Sequence, residues 1–159
     1  MRKNLIKLFS IVLVALLLFG CSKDTKTFEE DDFKITVEGD FKKDELAGFT
    51  YYYESSDVIV TALKESFTSL KSLGVNNETT LEEYTKLILT SNNKEEELKT
   101  RNDYMYFEYT STVDGDDFYY IAATYKSDDA FWLINFMCMK SDKNKFKEKF
   151  LSWADTVEL

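Results

Sequence analysis

Three consecutive runs of apolar, β-branched and aromatic residues constrain this chain most: Tyr104 to Val113, Phe118 to Tyr125 and Phe131 to Met139. The separators Asp114-Gly115-Asp116-Asp117 and Ser127-Asp128-Asp129 suit tight antiparallel returns, so the runs predict a three-stranded meander. Successive strand residues point to opposite faces. Large side chains occupy both parities here. Met105, Phe107 and Tyr109 alternate with Tyr104 and Tyr106, and Trp132, Ile134 and Phe136 alternate with Phe131, Leu133 and Met137. A sheet with one wet face would not carry both sets, so helices, or the long N-terminal segments, are expected on each side.

The rest of the chain supplies those partners. Phe33-Lys34-Ile35-Thr36-Val37 alternates strictly and runs into a turn at Gly39-Asp40, while Thr50 to Tyr53 and Val58 to Leu63 read as strands joined by the polar Glu54-Ser55-Ser56-Asp57. Glu95 to Thr100 is a weak seventh candidate. Ser66 to Leu73, stopped by Gly74, predicts a short helical connection. Thr80-Leu81-Glu82-Glu83 is a capping box that opens a helix with Leu81, Tyr84, Leu87 and Ile88 on one face. A last helix starts near Ser141-Asp142 and lines up Phe146, Phe150, Trp153, Ala154 and Val157 as one apolar stripe. The fold class is therefore α+β: an antiparallel sheet of six or seven strands flanked by helices on both faces.

In this order the elements, and several strings within them, resemble the PsbP/DcrB-like families, particularly the small lipoproteins of that fold in low-GC Gram-positive bacteria. The resemblance spans about residues 33–157. It rests on Thr80-Leu81-Glu82-Glu83-Tyr84, on Tyr106-Phe107-Glu108-Tyr109 leading to Val113-Asp114-Gly115, and on Phe118-Tyr119-Tyr120. Asp128-Asp129-Ala130-Phe131-Trp132-Leu133 with Phe136 and Cys138, and Phe150-Leu151-Ser152-Trp153, complete it. These are core and turn positions. The resemblance implies an α-β-α sandwich and an envelope or accessory role, and it carries no catalytic or binding residue across.

The N-terminus implies an address. Arg2, Lys3 and Lys7 precede an apolar run from Leu8 to Phe19 that ends Leu18-Phe19-Gly20-Cys21, the pattern of a bacterial lipoprotein signal. Its 12 residues fall short of the roughly 20 that cross a hydrocarbon core, which argues against a retained membrane helix. Residues 1–20 are thus expected to be removed between Gly20 and Cys21. Cys21 would then be the lipidated first residue, contacting membrane lipid through a diacylglyceryl group on the extracytoplasmic face. Phe19 is bulkier than the Ala, Ser or Thr common two residues before such a cysteine, so slower processing is expected. Residues 21–32, with Glu29-Glu30-Asp31-Asp32, read as a flexible acidic tether, about 40 Å at full extension, ahead of a single domain over residues 33–159.

Charge narrows the partners. Removing residues 1–20 takes three of the 20 Lys+Arg and none of the 29 Asp+Glu, leaving a formal charge of −12. Such a surface repels nucleic-acid phosphates and anionic head groups, so membrane contact is assigned to lipid and no nucleic-acid partner is expected. The chain has no His, no CxxC, no phosphate-binding glycine loop and no HExxH, which removes the usual general base and the familiar nucleotide, zinc and redox signatures. Accordingly no cofactor, metal site or catalytic residue is assigned. Cys138, among Trp132, Ile134 and Phe136, reads as a buried structural thiol.

Two functional motifs compete with bland readings. Asp114, Asp116, Asp117, Asp128 and Asp129 could supply an acid pair, but adjacent aspartates between strands are first of all turn residues. Tyr51, Tyr52, Tyr53, Tyr104, Tyr106 and Tyr109 are foremost packing residues and also the best candidates for a partner surface. The reading is a non-catalytic, lipid-anchored envelope protein that binds an envelope protein partner or serves as an accessory module. The alternatives are a small carboxylate-dependent hydrolase of cell-wall polymer and a solute-binding lipoprotein.

Overall fold

The computed structural model describes residues 24–159. Among the described residues nine strands form: β1 Thr25–Glu30, β2 Phe33–Glu38, β3 Lys42–Asp44, β4 Tyr51–Glu54, β5 Val58–Ser66, β6 Lys99–Arg101, β7 Tyr104–Val113, β8 Asp116–Lys126 and β9 Ala130–Met139. Seven of them make one wholly antiparallel sheet in the order β3-β4-β5-β9-β8-β7-β6, and β1 pairs with β2 in a separate hairpin. Three helices, α1 Phe67–Leu70, α2 Leu81–Ser91 and α3 Lys143–Ala154, flank this sheet. The α+β sandwich expected from the alternating aromatics is thus the fold found.

Local chemistry sets the boundaries. Val113 pairs with Asp116, leaving a two-residue loop in which Asp114 and Gly115 both have positive φ, 52° and 92°, as a primed hairpin turn requires. The capping box at α2 is complete: Glu83 N–H donates to Thr80 Oγ1, and Thr80 N–H donates to Glu83 Oε2. At α3 the cap differs from expectation. Asp142 holds the N-cap position without a side-chain bond, because Lys140–Asp142 forms a 3-10 turn leading into the helix, and Val157 lies past the helix end.

Parity divides the sheet. One face carries Val58, Val60, Tyr119, Ile121, Trp132, Ile134 and Phe136, and it packs against the β1–β2 hairpin and the Phe146-Phe150-Trp153-Ala154 stripe of α3. Hairpin residues Phe28, Phe33, Ile35 and Val37 are buried there, and Phe33 stacks on Trp132 with 5.5 Å between centroids. Cys138 is buried on this face as expected, and burial pushes its thiol up to about 11.

Two expectations fail at the start of the domain. Residues 21–32 are not a tether throughout: Thr25–Glu30 is a strand, registered with Phe28 opposite Ile35 and Glu30 opposite Phe33. Its acids are engaged as well. Glu30 binds Lys43 at 2.7 Å, and Asp32 accepts from Lys64 at 2.8 Å and from the Tyr51 hydroxyl at 3.0 Å. The sequence Thr-Lys-Thr-Phe-Glu-Glu hides this, since only Phe28 is apolar and the strand exists through its pairing. The domain therefore begins ahead of residue 33. The second strand missed, β3, has three exposed residues and is likewise defined only by its neighbour.

Candidate functional site

Among the described residues, the second face of the sheet is covered at one end only. There α2 stacks Tyr84 on Phe131 at 4.2 Å, sets Leu89 against Phe107 and Ala122, and is pinned by a buried 2.7 Å hydrogen bond between Thr85 and Thr124. The Tyr84 hydroxyl donates to Glu65 at 2.6 Å. Helix α2 stops at Ser91, so the far end of this face is left open.

That open end is a groove of about 300 Å³. Ile59, Thr61, Asn135 and Met137 form its floor, Tyr120 and Tyr109 one wall, and Leu46, Phe49 and Tyr52 the other. Leu46 and Phe49 are 47% and 38% exposed, a large apolar exposure for side chains gathered at one place. Register explains the layout. Glu54, Ile59, Met137, Tyr120 and Tyr109 are successive cross-strand partners, forming one row over β4, β5, β9, β8 and β7. Tyr109 and Tyr120 stack at 4.5 Å and 2° between planes, with the Lys94 ammonium 4.0 Å from the Tyr109 centroid. Burial pushes the Tyr109 hydroxyl up to about 12 and raises that of Tyr120, so both rings are neutral phenols at physiological pH. Groove and wall offer apolar contact, stacking and an amide, which suits binding.

The six tyrosines singled out in the sequence separate by parity. Tyr52 and Tyr109 reach the open groove. Tyr53 and Tyr104 are buried and Tyr51 and Tyr106 half-buried on the opposite face, where Tyr53 stacks on Phe28 at 4.2 Å and Tyr51 on Phe33 at 5.3 Å. Tyr120 was missed as a site residue. Counting by twos along β8 from Phe118 places it on the parity of Thr124, the α2 face, but that α2 ends short of it is a tertiary fact.

The aspartate clusters lie at hairpin ends, with Asp114 in the turn, Asp116 and Asp117 opening β8, and Asp128 and Asp129 between β8 and β9. Asp117 accepts from Thr112 at 2.7 Å and from Lys140 at 3.1 Å, and those bonds, Thr112 first, lower its pKa. Lys64 and then Ser127 do the same for Asp129. Among the described residues no group of three or more His, Cys, Asp or Glu side chains is placed to hold a metal ion. Gly20 and Cys21, with the signal segment, lie outside the described residues.

One carboxylate missed in the sequence is strongly perturbed. Glu108 accepts from Lys99 at 2.9 Å, Lys147 at 2.8 Å and the Tyr119 hydroxyl at 2.8 Å, with Lys143 at 3.8 Å. Burial alone would raise its pKa, but bonds from Lys147, Lys99 and Tyr119 overcome that and hold it at about 2, against an ordinary 4.5. The unfolded carboxyl protonates first as pH falls, so this stabilisation is full above about pH 5 and is lost toward pH 2. At the full displacement it is worth at most about 3 kcal/mol, and water reaching the half-exposed lysines reduces it to about 1–2 kcal/mol. Glu108→Gln is therefore expected to lower the urea-unfolding free energy by about that amount at pH 7, with the difference from wild type shrinking between pH 4.5 and 2. A pH-independent difference would show that the loss is one of packing.

No protein-family model and no curated protein matches this chain. Solved structures do. The solution structure of cyanobacterial PsbP (CyanoP) from Synechocystis sp. PCC 6803 aligns at a TM-score of 0.50 and 9% identity, over 88% of this chain and 96% of that one. A crystal structure of a protein from Bacteroides thetaiotaomicron VPI-5482 aligns at a TM-score of 0.56 and 13% identity, over 84% of this chain and 47% of its own length. At these identities the likeness is one of fold. The chain has a PsbP-like fold, as the resemblance implied.

Proposed function

We propose that the protein is a lipid-anchored envelope protein, held on the extracytoplasmic face of a bacterial membrane through Cys21, whose domain is a non-catalytic binding module for an envelope protein. The observation that carries the binding role is the open aromatic end of the sheet. Among the described residues α2, α3 and the β1–β2 hairpin bury much of both central faces, whereas the strip from Tyr52 to Tyr109 leaves apolar surface in water at an unrecovered cost of about 25 cal/mol per Å². A surface of this kind is retained where something covers it. The Leu18-Phe19-Gly20-Cys21 ending and the small-lipoprotein resemblance support the anchor and its location.

A photo-crosslinking amino acid at Tyr52 in intact membranes tests the binding role, with the same probe at exposed Asp128, at the opposite end of the sheet, as control. The expected result is a discrete protein adduct from position 52 alone. No adduct, or the same adducts from both positions, would overturn the assignment.

A further inference from the structure

We infer that Thr61 and Asn135 are the hydrogen-bonding floor of a pocket for one uncharged group of the partner: an apolar side chain together with the neutral peptide amide beside it. This rests on the binding-module reading and specifies the chemistry of what the module takes.

Register brings the pair together. Thr61 of β5 lies directly opposite Asn135 of β9, and their row runs from Tyr52 through both to Ala122 and Phe107. Directly opposite side chains on one face stand about 5 Å apart at Cβ. Leu89 of α2 packs on Ala122 and Phe107, so the cover ends beside Asn135, and the pair lines the open groove.

Neither side chain is used by the fold. The buried polar residues among those described are Thr61, Thr85 and Thr124. Thr85 and Thr124 bond each other at 2.7 Å under α2, whereas Thr61, 7% exposed, makes no side-chain hydrogen bond among the described residues. Asn135, half-buried next to it, makes none either. A hydroxyl and a carboxamide desolvated without partners weaken a domain, and a ligand that bonds them recovers the loss.

Chemistry selects that ligand. No residue lining the groove is charged, so an ionic group would be desolvated there without a counter-charge. A plain hydrocarbon would fill the space over Ile59 and Met137 but leave both polar groups unpaired. A sugar ring would bring more hydroxyls than two side chains can satisfy. A peptide group offers one N–H and one C=O, the match for a carboxamide that carries donor and acceptor together, with the hydroxyl able to serve as either. Leu46, Phe49 and Tyr52 then receive the adjoining apolar side chain. The rim favours a residue of a protein over a free molecule. Leu46 and Phe49 are 47% and 38% exposed above a groove of about 300 Å³, so a molecule seated on the floor would leave them in water, whereas a protein inserting one residue covers the rim around it.

The probe is N-acetyl-phenylalanine methylamide, an uncharged capped residue, titrated into methyl-labelled full-length protein in phosphatidylcholine nanodiscs and followed by NMR. Saturable shifts are expected at the methyls of Ile59, Thr61 and Met137. N-acetyl-phenylalanine, which ends in a carboxylate, and phenylalanine methylamide, which begins with an ammonium, should each bind at least fivefold more weakly. Thr61→Val and Asn135→Leu should each weaken the capped residue about two- to tenfold, the loss of one hydrogen bond to a neutral group, while the urea midpoint holds or rises. No saturable shift, shifts outside the groove, equal binding of the charged analogues, or indifference to both substitutions overturns the inference. A lower urea midpoint for Thr61→Val overturns it too, since the hydroxyl would then be bonded within the domain. In intact membranes the protein adduct at Tyr52 should fall when both substitutions are present. A discrete protein adduct that ignores them overturns this inference and leaves the binding-module reading intact, and absence of any adduct overturns both.

Discussion

Trp132→Ala is expected to destabilise the domain by about 3–5 kcal/mol, the largest effect of any single truncation in its core. Trp132 is fully buried at the point where three parts of the fold meet. Its ring faces Phe33 of the β1–β2 hairpin at 5.5 Å and Tyr51 of β4 at 6.3 Å, while its backbone lies between Lys64 of β5 and Tyr125 of β8 in register. Lys64 closes the site from the solvent side, 5.7 Å above the ring, and is itself held by Asp32 and Asp129 at 2.8 Å each. These neighbours belong to paired strands and a doubly tethered lysine, so they cannot collapse into the space left. The cavity term then adds to the lost transfer free energy. Calorimetry should show a fall of roughly 10–20 °C in Tm. Trp153 supplies the comparison: its indole N–H is buried and lacks a hydrogen-bond partner among the described residues, so Trp153→Phe removes an unsatisfied donor and should cost far less. Equal losses for the two variants would show that the volume removed does not govern the stability of this core.

The hairpin's dependence on Trp132 also explains what the sequence could and could not reveal. Strand β7 is legible because Tyr104 and Tyr106 alternate with Phe107 and Tyr109 between two apolar environments and the run ends on Asp114-Gly115, a turn whose backbone suits few other pairs. The boundary of α2 is legible because Thr80 and Glu83 satisfy orphan donors locally. What is hidden is structure that exists through pairing: β1 has Phe28 as its one buried residue, β3 has none, and β5 runs on through Lys64, Glu65 and Ser66 because Trp132, Phe131 and Ala130 lie opposite. The groove was half legible. Tyrosine content marked Tyr52 and Tyr109, but assigning them to the open face needs the register of β4 on β5 and the length of α2, and both are tertiary facts. Glu108 gave no local signal at all, since its three lysines come from β6 and α3.

Cys21→Ala is expected to move the protein from the membrane fraction to the soluble fraction and to abolish incorporation of a palmitate analogue. The argument begins with what else could hold the domain. Among the described residues no helix is long and apolar enough to cross a bilayer, and a formal −12 after removal of residues 1–20 opposes adhesion to anionic lipid. Two acyl chains, at about 0.8 kcal/mol per buried methylene, hold stably where one chain or none does not. The start of the fold sharpens the consequence. Strand β1 begins at Thr25, four residues after Cys21, and the Gly39 N–H already donates to the Asp24 carbonyl at 2.9 Å. Four peptide steps span at most about 15 Å, so a lipid on Cys21 would draw the β1–β2 end of the domain against the head groups in place of letting it range on a 40 Å leash. Loss of such a lipid would remove the anchor and this orientation together. Fractionation with and without high salt, alongside mass spectrometry of the N-terminus, reads the outcome. Label that survives the substitution would place the acyl group on another residue, and a wild-type protein that keeps residues 1–20 in the membrane fraction would make the apolar run from Leu8 to Phe19 the anchor instead.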